Sequence, residues 1–156
     1  CVKLKIADIS KEVTVPQDIQ ELLNMDFYFS IKKLNRILEK KTEETYRKIG
    51  LSHSYALTLF ILSQEDGKCY KELADILCIT APSMTKIIEK LKRRDLVYLV
   101  PNGRTKHIHL SEKGKDLADV IAETFFSTRQ EFIELTQNNN LNCLVSQINQ
   151  ITKIIE

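Results

Sequence analysis

Apolar residues recur at helical spacing over most of the chain, interrupted once by an alternating stretch. From Gln17 to about Lys48, Leu23, Phe27, Ile31, Leu34 and Leu38 fall at steps of three and four, which predicts one long amphipathic helix. Ile19, Leu22, Met25, Phe29 and Ile37 widen that stripe, so more than one neighbour must cover it: a domain core or a second copy of the chain. Gly50 is placed to end this helix and Ser52 to cap the next, which carries Tyr55, Leu57, Leu59, Phe60 and Leu62 up to a turn at Glu65-Asp66-Gly67. Two short helices follow, from about Tyr70 to Leu77 and from about Ala81 to Arg94. Only Cys78, Ile79 and Thr80 join them, and so tight a joint belongs to a helix-turn-helix.

After Asp95 the period changes to two. Leu96, Tyr98 and Val100 alternate with Val97 and Leu99, Pro101-Asn102-Gly103 supplies a turn, and Ile108 and Leu110 alternate with His107 and His109, which predicts a β-hairpin. Ser111 then caps a helix carrying Leu117, Val120, Ile121, Phe125, Phe132 and Leu135, with a break near Asn138-Asn139-Asn140. A last helix carries Leu141, Leu144, Val145, Ile148, Ile151 and Ile155. The expected fold is mainly α with a small β-hairpin wing: a winged helix-turn-helix plus a helical dimerisation arm from the N- and C-terminal helices. The expected division is 1–50 as an extension and dimerisation helix, 51–114 as the winged unit, and 115–156 as dimerisation helices. Residues 2–15 have no consistent period, and their role is open.

Composition narrows the class. The 156 residues are 43% hydrophobic and 28% charged, ordinary for a soluble domain. No apolar run approaches the roughly 20 residues of a membrane span, and no secretory pattern opens the chain, so a cytoplasmic location is expected, with no membrane partner. Cys1, Cys69, Cys78 and Cys143 form no C-x-x-C pair and no Cys/His metal spacing, which fits a reducing compartment. That the sequence opens on Cys1 is expected to reflect trimming rather than a lipid-bearing end. The net charge is only +2, but Lys86, Lys90, Lys92, Arg93, Arg94, Arg104 and Lys106 face just Glu89 and Asp95 between residues 80 and 106. That local excess of +5 leaves −3 for the rest, the pattern of a phosphate-binding face on a mildly acidic body.

The chemistry concentrates in the same stretch. Leu73 and Ala74, with Ile76 and Leu77 nearby, are placed to pack against Met84, Ile87, Ile88 and Leu91. Thr80 stands where an N-cap is wanted, and Pro82 lies in the first helical turn, whose N–H groups are unpaired anyway. The helix start then presents Ala81, Ser83, Thr85 and Lys86 away from the core, the end that a helix-turn-helix inserts into the major groove. Taken as a set, Leu73-Ala74, Thr80, Ser83-Met84-Thr85-Lys86, Leu91, Asn102-Gly103-Arg104 and Leu110-Ser111-Glu112-Lys113-Gly114 resemble the MarR (multiple antibiotic resistance regulator) family, as does Leu51-Ser52 upstream.

The resemblance implies an obligate homodimer on double-stranded DNA, a recognition helix in each major groove and a wing arginine, here Arg104, in each minor groove. It also implies a ligand-responsive repressor on a pseudopalindromic operator. The DNA-contacting set expected is Thr80, Ala81, Ser83, Thr85, Lys86, Lys90, Asn102, Arg104 and Lys106. Asn102 departs from the family's usual aspartate, which leaves its amide to orient the wing arginine. The family's peroxide sensors carry a cysteine in the first helix, and none lies between Val2 and Lys68.

Other readings stay open. Lys92, Arg93 and Arg94 suit phosphate contact or plain solvation equally. His107 and His109 share one strand face beside the wing, near DNA, and make a metal pair only if further ligands join, His53 or a cysteine among them. Cys143, on an amphipathic helix, is expected to be buried. Phe27, Phe29, Tyr46, Tyr55 and Phe60 either line an effector crevice or pack the core. No cofactor is expected; a small effector, lipophilic or anionic, is left open. A thiol- or metal-responsive regulator on this fold, or a winged-helix protein–protein module, is the alternative. No catalytic triad, glycine-rich phosphate loop or carboxylate pair points to an enzyme.

Overall fold

The computed structural model describes residues 18–136 and 141–155, which form two compact units meeting between Lys41 and Thr42. In the first unit the single long helix expected from Gln17 onward is two. Helix α1 (Ile19–Asn24) stops at Met25, and α2 (Phe27–Arg47) starts afresh and runs on into the second unit. The interruption is chemical: Asp26 caps α2 by accepting the Phe29 N–H at 2.6 Å, a local bond that competes with helix continuation.

In the second unit α3 (His53–Gln64) is apolar around most of its circumference, as the central helix of a core must be. It packs on α6 (Glu112–Leu135) and on a small antiparallel sheet. The expected cap at Ser52 is not made by its hydroxyl; the Glu43 carboxylate accepts the His53 N–H at 3.1 Å. Helices α4 (Tyr70–Ile76) and α5 (Ala81–Arg93) pack on each other. Leu73, Met84, Ile88, Leu91, Leu96, Ile108 and Ile121 are wholly buried with Leu59 and Leu62, each contributing about 1.5–3 kcal/mol by leaving water. Ile76, expected nearby, is half-exposed.

The sheet has three strands in the order β1 (Lys68–Cys69), β3 (Thr105–Leu110), β2 (Val97–Asn102). The two-residue β1, pairing Lys68 with Ile108 and Cys69 with His107, is too short to register as a periodic signal. The hairpin turn lies one residue later than the sequence suggests: Pro101 and Asn102 belong to β2, and Gly103-Arg104 form the loop between the paired Asn102 and Thr105. Gly103 takes φ +59° at the first loop position, where a two-residue hairpin favours glycine.

Both helices of the pair end in the same way. The Cys78 and Ile79 N–H groups bond to the Asp75 and Ala74 carbonyls, and those of Asp95 and Leu96 to Lys92 and Leu91, the Schellman pattern with Cys78 and Asp95 in the left-handed region. Helix α6 begins at Ser111, whose hydroxyl accepts the Gly114 N–H at 3.0 Å and donates to the Asp95 carbonyl at 2.6 Å. Gly114 is buried against Leu96, where a Cβ would lie 2.0 Å from the carbonyl oxygen. This contact gives a physical reason for glycine in the Leu-Ser-x-x-Gly motif. Helix α7 (Leu141–Ile155) closes the described chain, and the break expected at Asn138-Asn139-Asn140 lies outside the described residues.

Candidate nucleic-acid interface

Helix α5 presents two contrasting faces. Met84, Ile87, Ile88 and Leu91 are buried, while Thr80, Ala81, Ser83, Thr85, Lys86 and Lys90 are exposed. The division follows from helical spacing: anchoring one face in the core forces the other into solvent. Thr80 is the N-cap, accepting the Ser83 N–H at 3.4 Å, and its hydroxyl lies 2.9 Å from that of Ser83. Thr85 donates to the Ala81 carbonyl at 3.0 Å. These hydroxyls therefore hold the helix start in shape and keep acceptor capacity for an outside partner. The first turn contains no acidic residue, and the helix dipole favours an anion there.

The cations sort into two groups. Arg94 donates to the Gly50 carbonyl at 2.9 Å, and Lys90 lies over the Tyr55 ring, 5.3 Å from its centroid. Both are held by protein. Lys86, Arg104 and Lys106 are exposed and meet no hydrogen-bonding or ionic partner among the described residues. Arg104 stands at the tip of the hairpin, where a guanidinium has the freedom to enter a narrow groove.

Asn102 does not orient Arg104. Its amide nitrogen is 3.2 Å from Nε2 of His107, across the hairpin, because both side chains point to the same face of the sheet. The other histidine of that face is likewise drawn into the fold: Nδ1 of His109 lies 2.8 Å from Asp66, and its ring stacks on Tyr98. The histidines thus brace the wing through Asn102 and Asp66. No group of three or more His, Cys, Asp or Glu residues able to hold a metal occurs among the described residues. Sequence spacing gave no sign of the Asp66–His109 contact, since 43 residues separate its partners.

Glu72 accepts the Cys69 N–H at 2.7 Å, which holds its carboxyl below the usual carboxylate range; the Cys69 thiol, Lys68 and His107 lower it further. Cys78 and Cys143 are exposed and Cys69 is half-buried, so within a single chain α7 leaves Cys143, expected to be buried, uncovered. Among the aromatics proposed for a crevice, Tyr46 is a core residue and burial pushes its phenol pKa up. Phe60 stacks on Phe125 with ring centroids 4.9 Å apart. An open cavity of about 270 Å³ lies instead between α3 and α6, lined by Asp66, Leu110, Lys115 and Asp119 among others. No helix among the described residues is long and apolar enough to cross a membrane.

No protein-family model matches the chain. It is 25% identical over 130 residues to the HTH-type transcriptional regulator SarZ of Staphylococcus epidermidis, covering 81% of this chain and 84% of that protein. A putative MarR-family transcriptional regulator from Listeria monocytogenes, solved with a 26mer DNA, has a TM-score of 0.72 at 19% identity, over 83% of this chain and 89% of that one. The transcriptional repressor CouR, bound to p-coumaroyl-CoA, has a TM-score of 0.76 at 17% identity, over 88% and 98%. The fold expected from the motif set is therefore the one observed, a winged helix shared with MarR-family regulators.

Proposed function

We propose that this chain, built on the fold of MarR-family regulators, is itself a DNA-binding transcription regulator of that kind, acting as a homodimer on a pseudopalindromic operator. The observation that carries the reading is the exposed start of α5, with its hydroxyls and Lys86, followed in the same unit by a hairpin tipped with an exposed Arg104. Lys86, Arg104 and Lys106 supply charge for phosphates and a groove, and Ser83 and Thr85 supply groups able to meet base edges. Thr80, Ala81 and Asn102 shape the elements that carry them.

Exposed apolar residues support the dimer. In the first unit Ile19, Leu22, Met25, Phe27, Ile31, Leu34 and Ile37 face solvent, and in the second so do Leu144, Val145, Ile151, Ile154 and Ile155 of α7. Apolar patches of this kind mark association surfaces, and a two-fold pair would present two reading heads to one duplex. Regulation follows if an effector prefers a dimer geometry that cannot span both half-sites. The acyl-CoA ester bound by CouR favours an effector that is both lipophilic and anionic. Repression in the cytoplasm, relieved by such a ligand, is the working mechanism.

Selection of genomic fragments by the purified protein tests this reading. Enrichment of fragments sharing an inverted repeat is expected, with half-sites about one helical turn apart. Recovery of no fragment above background at low ionic strength would overturn it and favour a protein–protein role.

A further inference from the structure

Strand β3, which returns from the wing tip, is fastened at its root by one short turn. The two carboxylate oxygens of Asp66 take different partners: one accepts the Leu110 N–H at 3.0 Å, and the other lies 2.8 Å from Nδ1 of His109. The next residue, Gly67, donates its N–H to the Ile108 carbonyl at 3.0 Å. A Cβ at Gly67 would sit 2.9 Å from Cε1 of His109, so the turn rests directly on the imidazole. On β2 the ring stacks against Tyr98, with centroids 5.5 Å apart and planes 22° from parallel. His109 therefore links three segments: the turn after α3, β2 and β3.

Resting on the DNA-binding reading, we propose that Asp66 and His109 are positioning residues for the wing, fastening the hairpin root so that its tip presents Arg104 to DNA. An N–H donated to a carboxylate makes a charge-assisted bond, roughly twice as strong as one between neutral groups, so the Asp66–His109 contact is a firm tie at the hairpin root. The hairpin is a lever whose tip carries the arginine, and DNA affinity scales with the fraction of molecules whose tip is correctly placed.

The charged and titratable groups around this pair come from every neighbouring element. Asp66 stands on the turn, with Glu65 before it paired to Lys68 of β1. Tyr98 stands on β2. From α6, Lys115 interacts with both Asp66 and Tyr98 and is itself paired with Glu112 at 2.8 Å, while Asp116 and Asp119 line the cavity that Asp66 borders. Lys115 pairs with Glu112 and makes no ion pair with Asp66 among the described residues, which leaves His109 as the side-chain partner of Asp66.

Asp66→Asn separates positioning from charge by sign. Removing a carboxylate from a DNA-binding lobe improves phosphate binding if only charge matters, and weakens binding if Asp66 positions the strand. The test uses the full chain and a labelled duplex taken from the selected genomic fragments, with affinity measured at constant pH and ionic strength. Asp66→Asn is expected to bind about threefold more weakly than wild type. His109→Ala should lose as much, and His109→Gln, which keeps an N–H donor, should recover part of the loss. In the Arg104→Ala background Asp66→Asn should cost nothing further, because the tip it positions is gone. An Asp66→Asn protein that binds as tightly as wild type or more so, or a loss that persists in full in the Arg104→Ala background, overturns the positioning role while leaving DNA binding intact. A wild type that binds no duplex overturns both readings together.

Discussion

The Arg94 guanidinium donates to the Gly50 carbonyl at 2.9 Å, fastening the end of α5 to the turn that closes α2. The Arg94 carbonyl in turn accepts from Lys113 at 3.0 Å, so this cation is built into the fold. Arg94→Ala is expected to cost about 1 kcal/mol of stability, seen as a lower urea midpoint, with the salt dependence of DNA binding unchanged. A shallower salt slope would instead put Arg94 on the phosphates.

Arg104 has the opposite profile, being exposed at the hairpin tip and without a partner among the described residues. Arg104→Ala should leave the melting temperature unchanged, weaken operator binding and reduce the slope of log affinity against log salt by about 1. Affinity measured at several salt concentrations decides it; an unaltered slope removes the wing from the contact surface.

Ser83 and Lys86 lie on the exposed face of α5 within its first two turns. The double change Ser83→Ala with Lys86→Ala should lower the preference for operator over random duplex. Competition between the two duplexes reads this directly. Equal losses on both would assign these side chains to phosphates alone.

Gly114 leaves no room for a methyl group, since its Cβ would lie 2.0 Å from the Leu96 carbonyl oxygen. Gly114→Ala must push the start of α6 away from Leu96, at a cost of about 1–3 kcal/mol. A melting temperature lower by several degrees is expected by calorimetry. No change would mean that this helix start is free to shift.

Glu72 supplies the acid-sensitive element of α4. Because its folded pKa is depressed by the Cys69 N–H, its stabilisation is complete above the ordinary carboxylate range, from about pH 5 upward, and fades as pH falls through the depressed value. Glu72→Gln should therefore reduce stability near neutrality and flatten the decline below about pH 4. Denaturant titrations at several pH values test it; parallel curves for the two proteins would show that Glu72 carries no linked proton.

The helix pair, its tight joint and its buried face were legible because they depend on local spacing. Leu73, Met84, Ile88 and Leu91 lie at intervals that admit one arrangement, and Thr80 and Pro82 mark the start of α5. The break at Asp26 was present in the sequence but was overridden by the apolar stripe on either side, even though an aspartate followed three residues later by a cappable N–H is a strong local competitor. Cys78 and Asp95 lacked the glycine that normally announces a left-handed helix end, so packing on both sides of each joint holds them there.

From the sequence alone came the order of elements, the identity of the core face of α5 and the placing of cationic and hydroxyl residues opposite it, because helical periodicity makes each of these a property of neighbours three or four apart. Which cations are free and which are tied down was a matter for the tertiary structure. Arg94 meets Gly50 across 44 residues and His109 meets Asp66 across 43, and partners so distant are chosen by how the elements pack, which no local pattern encodes.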